Sequence, residues 1–258
     1  MRPILCEINN HVATITLNRP EVLNCFNFEM LEQLESTVQN IATDKDVSVV
    51  IITGAGEKAF SAGADLKERK TLNEQQVRRN VKKIGGVFEQ IAELPQPTIA
   101  AVNGYAFGGG FELALACDFR FAVEDAKMGL TETSMGIIPG AGGTQRLPRL
   151  IGEDKAMELV LTAKRLTSEE ARDYGVLTSV TSREQLIHTC SQLAERMQQN
   201  APVAVKQAKY AIRNGMNTDL HTGLNIESKA YDVTIPTQDR VEALTAFNDK
   251  RKPEFTGE

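Results

Sequence analysis

Phe60-Ser61-Ala62-Gly63-Ala64-Asp65-Leu66 and Phe107-Gly108-Gly109-Gly110-Phe111-Glu112-Leu113 share one pattern: Phe, two small residues, Gly, any residue, an acid, Leu. Each follows a short apolar, β-branched run, Val47–Thr53 before the first and Pro97–Val102 before the second. Such runs read as buried strands, the first closed by Gly54-Ala55-Gly56 and the second by an Asn103-Gly104 turn. Strand, glycine loop and helix thus recur at a separation of 47 residues. Recurrence of this kind is expected where successive turns of a spiral stack on one another.

Outward from this pair, His11–Leu17 alternates and ends at Asn18-Arg19-Pro20, so it predicts a strand. Met30, Leu31, Leu34, Val38 and Ile41 recur at helical spacing, and 74–94 also reads as helix. Residues 111–117 predict a short helix and 119–123 another strand. After about Thr167 strands thin out, and 185–199, 203–214 and 239–250 read as helices separated by Pro202 and Pro236. The expected organisation is an α/β core over residues 1–190 and a helical C-terminal region over 191–258, too small to bury a core of its own.

Composition is that of an ordinary globular chain, 41% hydrophobic and 24% charged. A net charge of −5 gives no general attraction to nucleic acid or anionic membrane, so any anion site must be local. Four cysteines, at 6, 25, 117 and 190, show no metal-ligand spacing, which points to a reducing, cytoplasmic setting. The opening Met1–Glu7 meets acid at once, so no signal peptide is expected, and no apolar run of membrane-spanning length occurs.

Glu112 and Glu132 are the candidate reactive groups. Two carboxylates in different environments can divide acid and base duties on one substrate. Their neighbours Phe111, Leu113, Gly129 and Met135 are small or apolar, which favours burial and raised pKa values. The run Gly108–Gly110 permits two readings, close strand–helix packing or backbone N–H groups that cradle a negative oxygen. Each glutamate taken alone also reads as an ordinary surface carboxylate. No phosphate loop or dinucleotide fingerprint is present. Glu132-Thr133-Ser134-Met135-Gly136 falls one glycine short of a nucleophile elbow. The three histidines, His11, His188 and His221, carry no motif that would make a catalytic triad or a metal site.

At these residues the chain closely resembles the enoyl-CoA hydratase/isomerase (crotonase) superfamily. The likeness runs through Asn18–Asn24, Phe60–Leu66, Ala100–Glu112, Cys117-Asp118, Met128–Glu132, Pro139–Arg146 and the Phe247…Lys250-Arg251 ending. Ala64–Arg69 and Ile235–Arg240 look most like the methylglutaconyl-CoA hydratases that also bind AU-rich RNA. The resemblance implies a ββα spiral core and a helical C-terminal region that builds homotrimers, often paired as homohexamers. It implies an acyl-CoA thioester substrate, with coenzyme A part of that substrate and no separate cofactor or metal. It implies catalysis by Glu112 and Glu132, and an oxyanion hole from the backbone N–H groups of Ala64 and Gly109. Ala62, Asp65, Leu66 and Lys250 are the further implied substrate contacts, Lys250 near the coenzyme A phosphate. Hydratases of this family keep both glutamates where typical isomerases keep one, so hydration is the expected reaction; a catalytically silent scaffold of the same fold fits the pair less well. RNA binding is not expected: no Lys or Arg lies between Arg19 and Lys45, while Glu29, Glu32 and Glu35 lie on the first helix.

Overall fold

The computed structural model describes residues 2–258. The chain divides into two compact units, one formed by residues up to Leu94 with Thr98–Ser191, the other by Gln192–Glu258 with Pro95–Pro97.

Among the described residues, the first unit holds ten strands: β1 (Ile4–Asn9), β2 (Val12–Leu17), β3 (Val49–Gly54), β4 (Ala59–Ser61), β5 (Thr98–Val102), β6 (Tyr105–Phe107), β7 (Phe119–Val123), β8 (Lys127–Gly129), β9 (Leu166–Thr167) and β10 (Ser179–Thr181). Six form one sheet in the order β1-β2-β3-β5-β7-β10, and the other four form a second in the order β4-β6-β8-β9. From β2 to β10 the large sheet is parallel, and β4, β6 and β8 are parallel in the small one. Every residue of β3 and β5 is buried, as parallel strands covered on both faces require, whereas β2 alternates.

The large-sheet strands β3, β5 and β7 are each followed by a strand of the small sheet, giving the successions β3-β4, β5-β6 and β7-β8. These are three turns of a spiral where the sequence echo displays two. The third turn escapes the pattern because Met128-Gly129-Leu130-Thr131-Glu132 lacks the Phe and its glycine spacing. With its helices α1 (Phe28–Thr43), α2 (Leu66–Arg69), α3 (Glu74–Ala92) and α4 (Gly109–Ala116), this unit has the mixed α/β architecture expected from the sequence.

The helices have legible causes. Asn27 caps α1 by accepting from the Met30 N–H, and the stripe Met30, Leu31, Leu34, Val38 and Ile41 is buried. Asn73 and Gln76 close a reciprocal capping box at the start of α3. Helix α4 starts two residues before the expected Phe111, which makes Gly109 its first helical residue. From Gly110 to Ala116 it is buried on all sides. Two further helices, α5 (Gly143–Ile151) and α6 (Glu153–Leu161), were not marked by periodicity, and α7 (Ser168–Asp173) follows β9. Strand β1 was also missed; five of its six residues are exposed, although Ile4, Cys6 and Ile8 alternate along it. One charge argument needs correction: Glu35 on α1 is ion-paired with Lys83 on α3, so the acidity expected of the first helix is partly neutralised by its neighbour.

Helix α8 (Leu186–Gln198) runs through the unit boundary, and α9 (Pro202–Gly215), α10 (Leu220–Thr234) and α11 (Gln238–Asp249) make up the rest of the second unit. Gly223 lies inside α10 against Gly215 of α9, where a β-carbon would come within 3.3 Å of the Gly215 carbonyl oxygen. Buried Asp239 on α11 accepts from the N–H groups of Thr256 and Gly257 and ties down the C-terminal tail.

The glycine run of α4 divides its duties. At Gly110 a β-carbon would sit 1.9 Å from the Ser61 carbonyl oxygen, so only glycine lets α4 rest on the end of β4. Gly110→Ala is therefore expected to destabilise the fold by about 2 kcal/mol or more. Gly86→Ala on α3, where a β-carbon meets nothing within 4 Å, is the control and should be neutral or mildly stabilising. Denaturant unfolding of both variants checks this, and equal stabilities would contradict the close packing.

Candidate active site

Because β4, β6 and β8 run parallel, the loops after them leave the small sheet at one edge. The segments that follow are Ala62–Asp65, Gly108 with the first turn of α4 through Glu112, and Leu130–Glu132. A cavity of about 640 Å³ opens there, lined by Ala62, Ala64, Leu66, Gly109, Glu112 and Glu132 among others. Most of its remaining wall is apolar: Val77, Val81 and Ile84 from α3, with Met135, Ile137 and Ile138 from the segment after Glu132.

The Ala62–Asp65 loop is zipped to residues 23–26. Ala62 N–H donates to Leu23 O, Phe26 N–H to Gly63 O, and Asp65 N–H to Phe26 O. Arg19 bonds both the Cys25 carbonyl and the Asp65 carboxylate, and buried Asn24 spends its amide on Ala55, Ala59 and Arg19. The Asn18–Asn24 motif therefore holds the loop from behind. In that ladder the Ala64 N–H is left over: among the described residues it donates to nothing in the chain. The same is true of the Gly109 N–H at the start of α4. The two lie close, since a β-carbon on Gly109 would stand 3.8 Å from the Ala64 nitrogen. Two unspent N–H groups on a cavity wall can receive an oxygen on which negative charge develops.

Glu112 is buried, and its Oε1 accepts from Ala141 N–H at 2.7 Å and Gly143 N–H at 2.8 Å. Burial pushes its pKa up; the two amides and the nearby Arg146 guanidinium pull the other way without cancelling it. Glu132 begins a 3-10 turn (Glu132–Met135) that Gly136 ends in a left-handed conformation. Its carboxyl lies against Gly108, where φ is 51° and a β-carbon would stand 3.0 Å from Oε1. Burial, then the like charge of Glu112, raises the Glu132 pKa to about 7, against a smaller opposing pull from Arg69. Its Oε2 is buried with no hydrogen-bond partner, an environment that favours the neutral acid. The two glutamates thus occupy one cavity in different states of proton affinity.

The other expected contacts separate. Ala62 and Leu66 line the cavity, whereas Asp65 does not; its carboxylate caps α2 through Lys67 and Glu68 and pairs with Arg19. Lys250 lies exposed at the end of α11 in the second unit and is not among the lining residues. Sequence reasoning missed the amides of Ala141 and Gly143, although Pro139–Arg146 was part of the recognised pattern. It also missed Arg69, the cation in the cavity wall. Among the described residues there is no cluster of metal-ligating side chains and no helix long and apolar enough to cross a membrane.

A sequence model described as enoyl-CoA hydratase/isomerase matches residues 7–258. The crystal structure of an enoyl-CoA hydratase from Bacillus anthracis superposes with a TM-score of 0.97 at 50% identity, covering 99% of this chain and 100% of that one. A short-chain-enoyl-CoA hydratase of Clostridium acetobutylicum is 42% identical over 97% of this chain and 96% of its own length. Human mitochondrial methylglutaconyl-CoA hydratase is 44% identical over 98% of this chain and 76% of its own. With the crotonase fold, both glutamates and the two free N–H groups in place, the chain belongs to the enoyl-CoA hydratase/isomerase family, whose members act on acyl-CoA thioesters.

Proposed function

We propose that this protein is an enoyl-CoA hydratase, adding water across the 2,3 double bond of a 2-enoyl-CoA thioester. The observation that carries the reading is the meeting in one cavity of two carboxyl groups with unlike hydrogen bonding, Glu112 held by two amides and Glu132 with an unpartnered buried oxygen, beside two unspent N–H donors. Moving a double bond needs one carboxylate that takes and returns the same proton; adding water is served by two.

Water attack at C3 drives electrons onto the thioester oxygen, which becomes an enolate oxygen held by the Ala64 and Gly109 N–H groups. Losing one such donor typically costs about 2.7–4 kcal/mol of transition-state stabilisation. Glu112 takes the proton of the attacking water, with one oxygen pinned by amides and the other without a donor among the described residues. Glu132, neutral below about pH 7, passes its proton to C2. Exchange with solvent then resets both groups. The reaction is redox-neutral, and coenzyme A enters with the substrate.

A second reading concerns the acyl group. Arg69 places a cation in an otherwise mostly apolar wall, which favours an acyl group ending in a carboxylate, such as 3-methylglutaconyl, over a plain alkyl chain. The 44% identity to a methylglutaconyl-CoA hydratase supports it. Hydration rates on crotonyl-CoA and 3-methylglutaconyl-CoA, measured side by side, separate the two.

Glu112→Gln and Glu132→Gln are each expected to lower kcat at least about a hundredfold with the fold intact. In the parent protein kcat/KM should fall on the acid side as Glu112 gains a proton, above the usual carboxylate range, and on the alkaline side as Glu132 loses one through about 7. The residual activity of Glu132→Gln should lack the alkaline limb. Near-normal hydration by either variant contradicts the two-carboxylate mechanism.

Assembly follows from the second unit. Its helices expose Tyr210, Leu224, Tyr231, Leu244 and Phe247, the last 82% exposed, which is costly for an isolated chain. Light scattering is expected to report a homotrimer or homohexamer at micromolar concentration; a monomer contradicts this.

A further inference from the structure

We propose that Arg146 is a positioning residue: clasped by Glu89, it fixes the Ala141–Gly142 backbone so that the amides of Ala141 and Gly143 stay aimed at Glu112. This rests on the role given above to Glu112.

Arg146 is the fourth residue of α5, a place where the helix dipole disfavours a cation. It stays because its side chain turns to the preceding loop. Nη1 donates to the Ala141 carbonyl at 3.0 Å, and Nη2 bonds the carboxylate of Glu89 on α3. Its backbone N–H donates to the Gly142 carbonyl at 2.8 Å. One residue therefore holds two successive carbonyls of the loop. A trans peptide is planar, so fixing those carbonyls fixes the peptide planes on either side of Gly142. The second of those planes carries the Gly143 N–H, and the first begins at the Cα of Ala141, whose own N–H stands just before it; both N–H groups donate to Glu112 Oε1.

The loop is shaped around the guanidinium. Gly142 has φ of 104°, and a β-carbon there would come within 2.1 Å of Nη1. Any other side chain at 142 must push Arg146 aside. The guanidinium is also mostly shielded from water, with 18% of the side chain exposed, so its charge is weakly screened. The charged groups facing Glu112 are Arg146 on α5 and Glu132 after β8; Arg69 on α2 acts on Glu132, and Glu89 offsets part of the Arg146 charge. Removing Arg146 takes away a cation that favours the Glu112 carboxylate and loosens the two amides that do the same.

The test uses the full-length protein and four variants. Arg146→Met should lower kcat about thirtyfold or more with KM changed less than about threefold, a misplacement effect on a group that acts in the chemical step. Its acid limb should move to higher pH, because the cation that favours the Glu112 carboxylate is gone. Arg146→Lys, which keeps charge but not the two-pronged grip, should recover much of the limb position and less of kcat. Gly142→Ala, which keeps the arginine but displaces it, should reproduce the direction of Arg146→Met. Arg149→Met, on the same helix but bonded only to Gln145, is the control and should behave as the parent. Thermal melts accompany each variant, and should Arg146→Met fail to fold, Arg146→Lys and Gly142→Ala still report the limb. An unmoved acid limb in the folded variants, or a loss of kcat matched by an equal rise in KM, overturns the proposal. If instead Glu112→Gln keeps near-normal activity, the hydratase mechanism fails, and the two failures are told apart.

Discussion

Everything at the site depends on the parallel pairing of three very short strands. β4, β6 and β8 have three residues each, too few to be stable alone, and each is fed by a buried strand of the large sheet. Their pairing brings three loops, distant in sequence, to one edge. From the first comes the Ala64 N–H, from the second the Gly109 N–H and Glu112, and from the third Glu132. The approach is close enough that Gly110 has no room for a methyl group against Ser61. A looser spiral would keep the same fold but separate donors that must act on one oxygen.

The electrostatics follow from how each carboxyl is treated at that edge. Both are withdrawn from water, which raises both pKa values. Glu112 then receives two amides and a neighbouring guanidinium, and this favours its charge. Glu132 receives the repulsion of Glu112 and keeps a buried oxygen with no donor, and this favours its proton. The difference in environment, not in residue type, separates base from acid.

Much of this was legible in the sequence, and the exceptions have causes. β3 and β5 announced themselves by apolar, β-branched runs and helix α1 by apolar spacing. Glu112 stood out because a glycine run precedes it and an echo of that run stands 47 residues away. The function of each glycine was not readable: Gly110 serves packing, Gly109 offers its N–H, and Gly108 makes room for Glu132. Helix α10 was not read from the sequence, and within it Gly223 lies against Gly215 of α9. Asp65 was a substrate contact implied by the resemblance, yet its carboxylate is tied to Arg19 and the start of α2. Arg146 was visible within a motif, but its grip on the loop depends on backbone direction at Gly142, which no residue pattern encodes.

The central claim is that one thioester oxygen meets both the Ala64 and Gly109 N–H groups while one water, or the hydroxyl it becomes, lies between Glu112 and Glu132. A crystal structure with a bound 3-hydroxyacyl-CoA measures this directly. The account predicts the thioester oxygen at about 2.7–3.1 Å from both nitrogens, the range at which such donors stabilise an oxyanion. It also predicts the 3-hydroxyl within about 2.6–3.2 Å of Glu112, with the Glu132 carboxyl facing C2. A thioester oxygen placed away from either N–H, or an acyl group bound beyond reach of one glutamate, would contradict it.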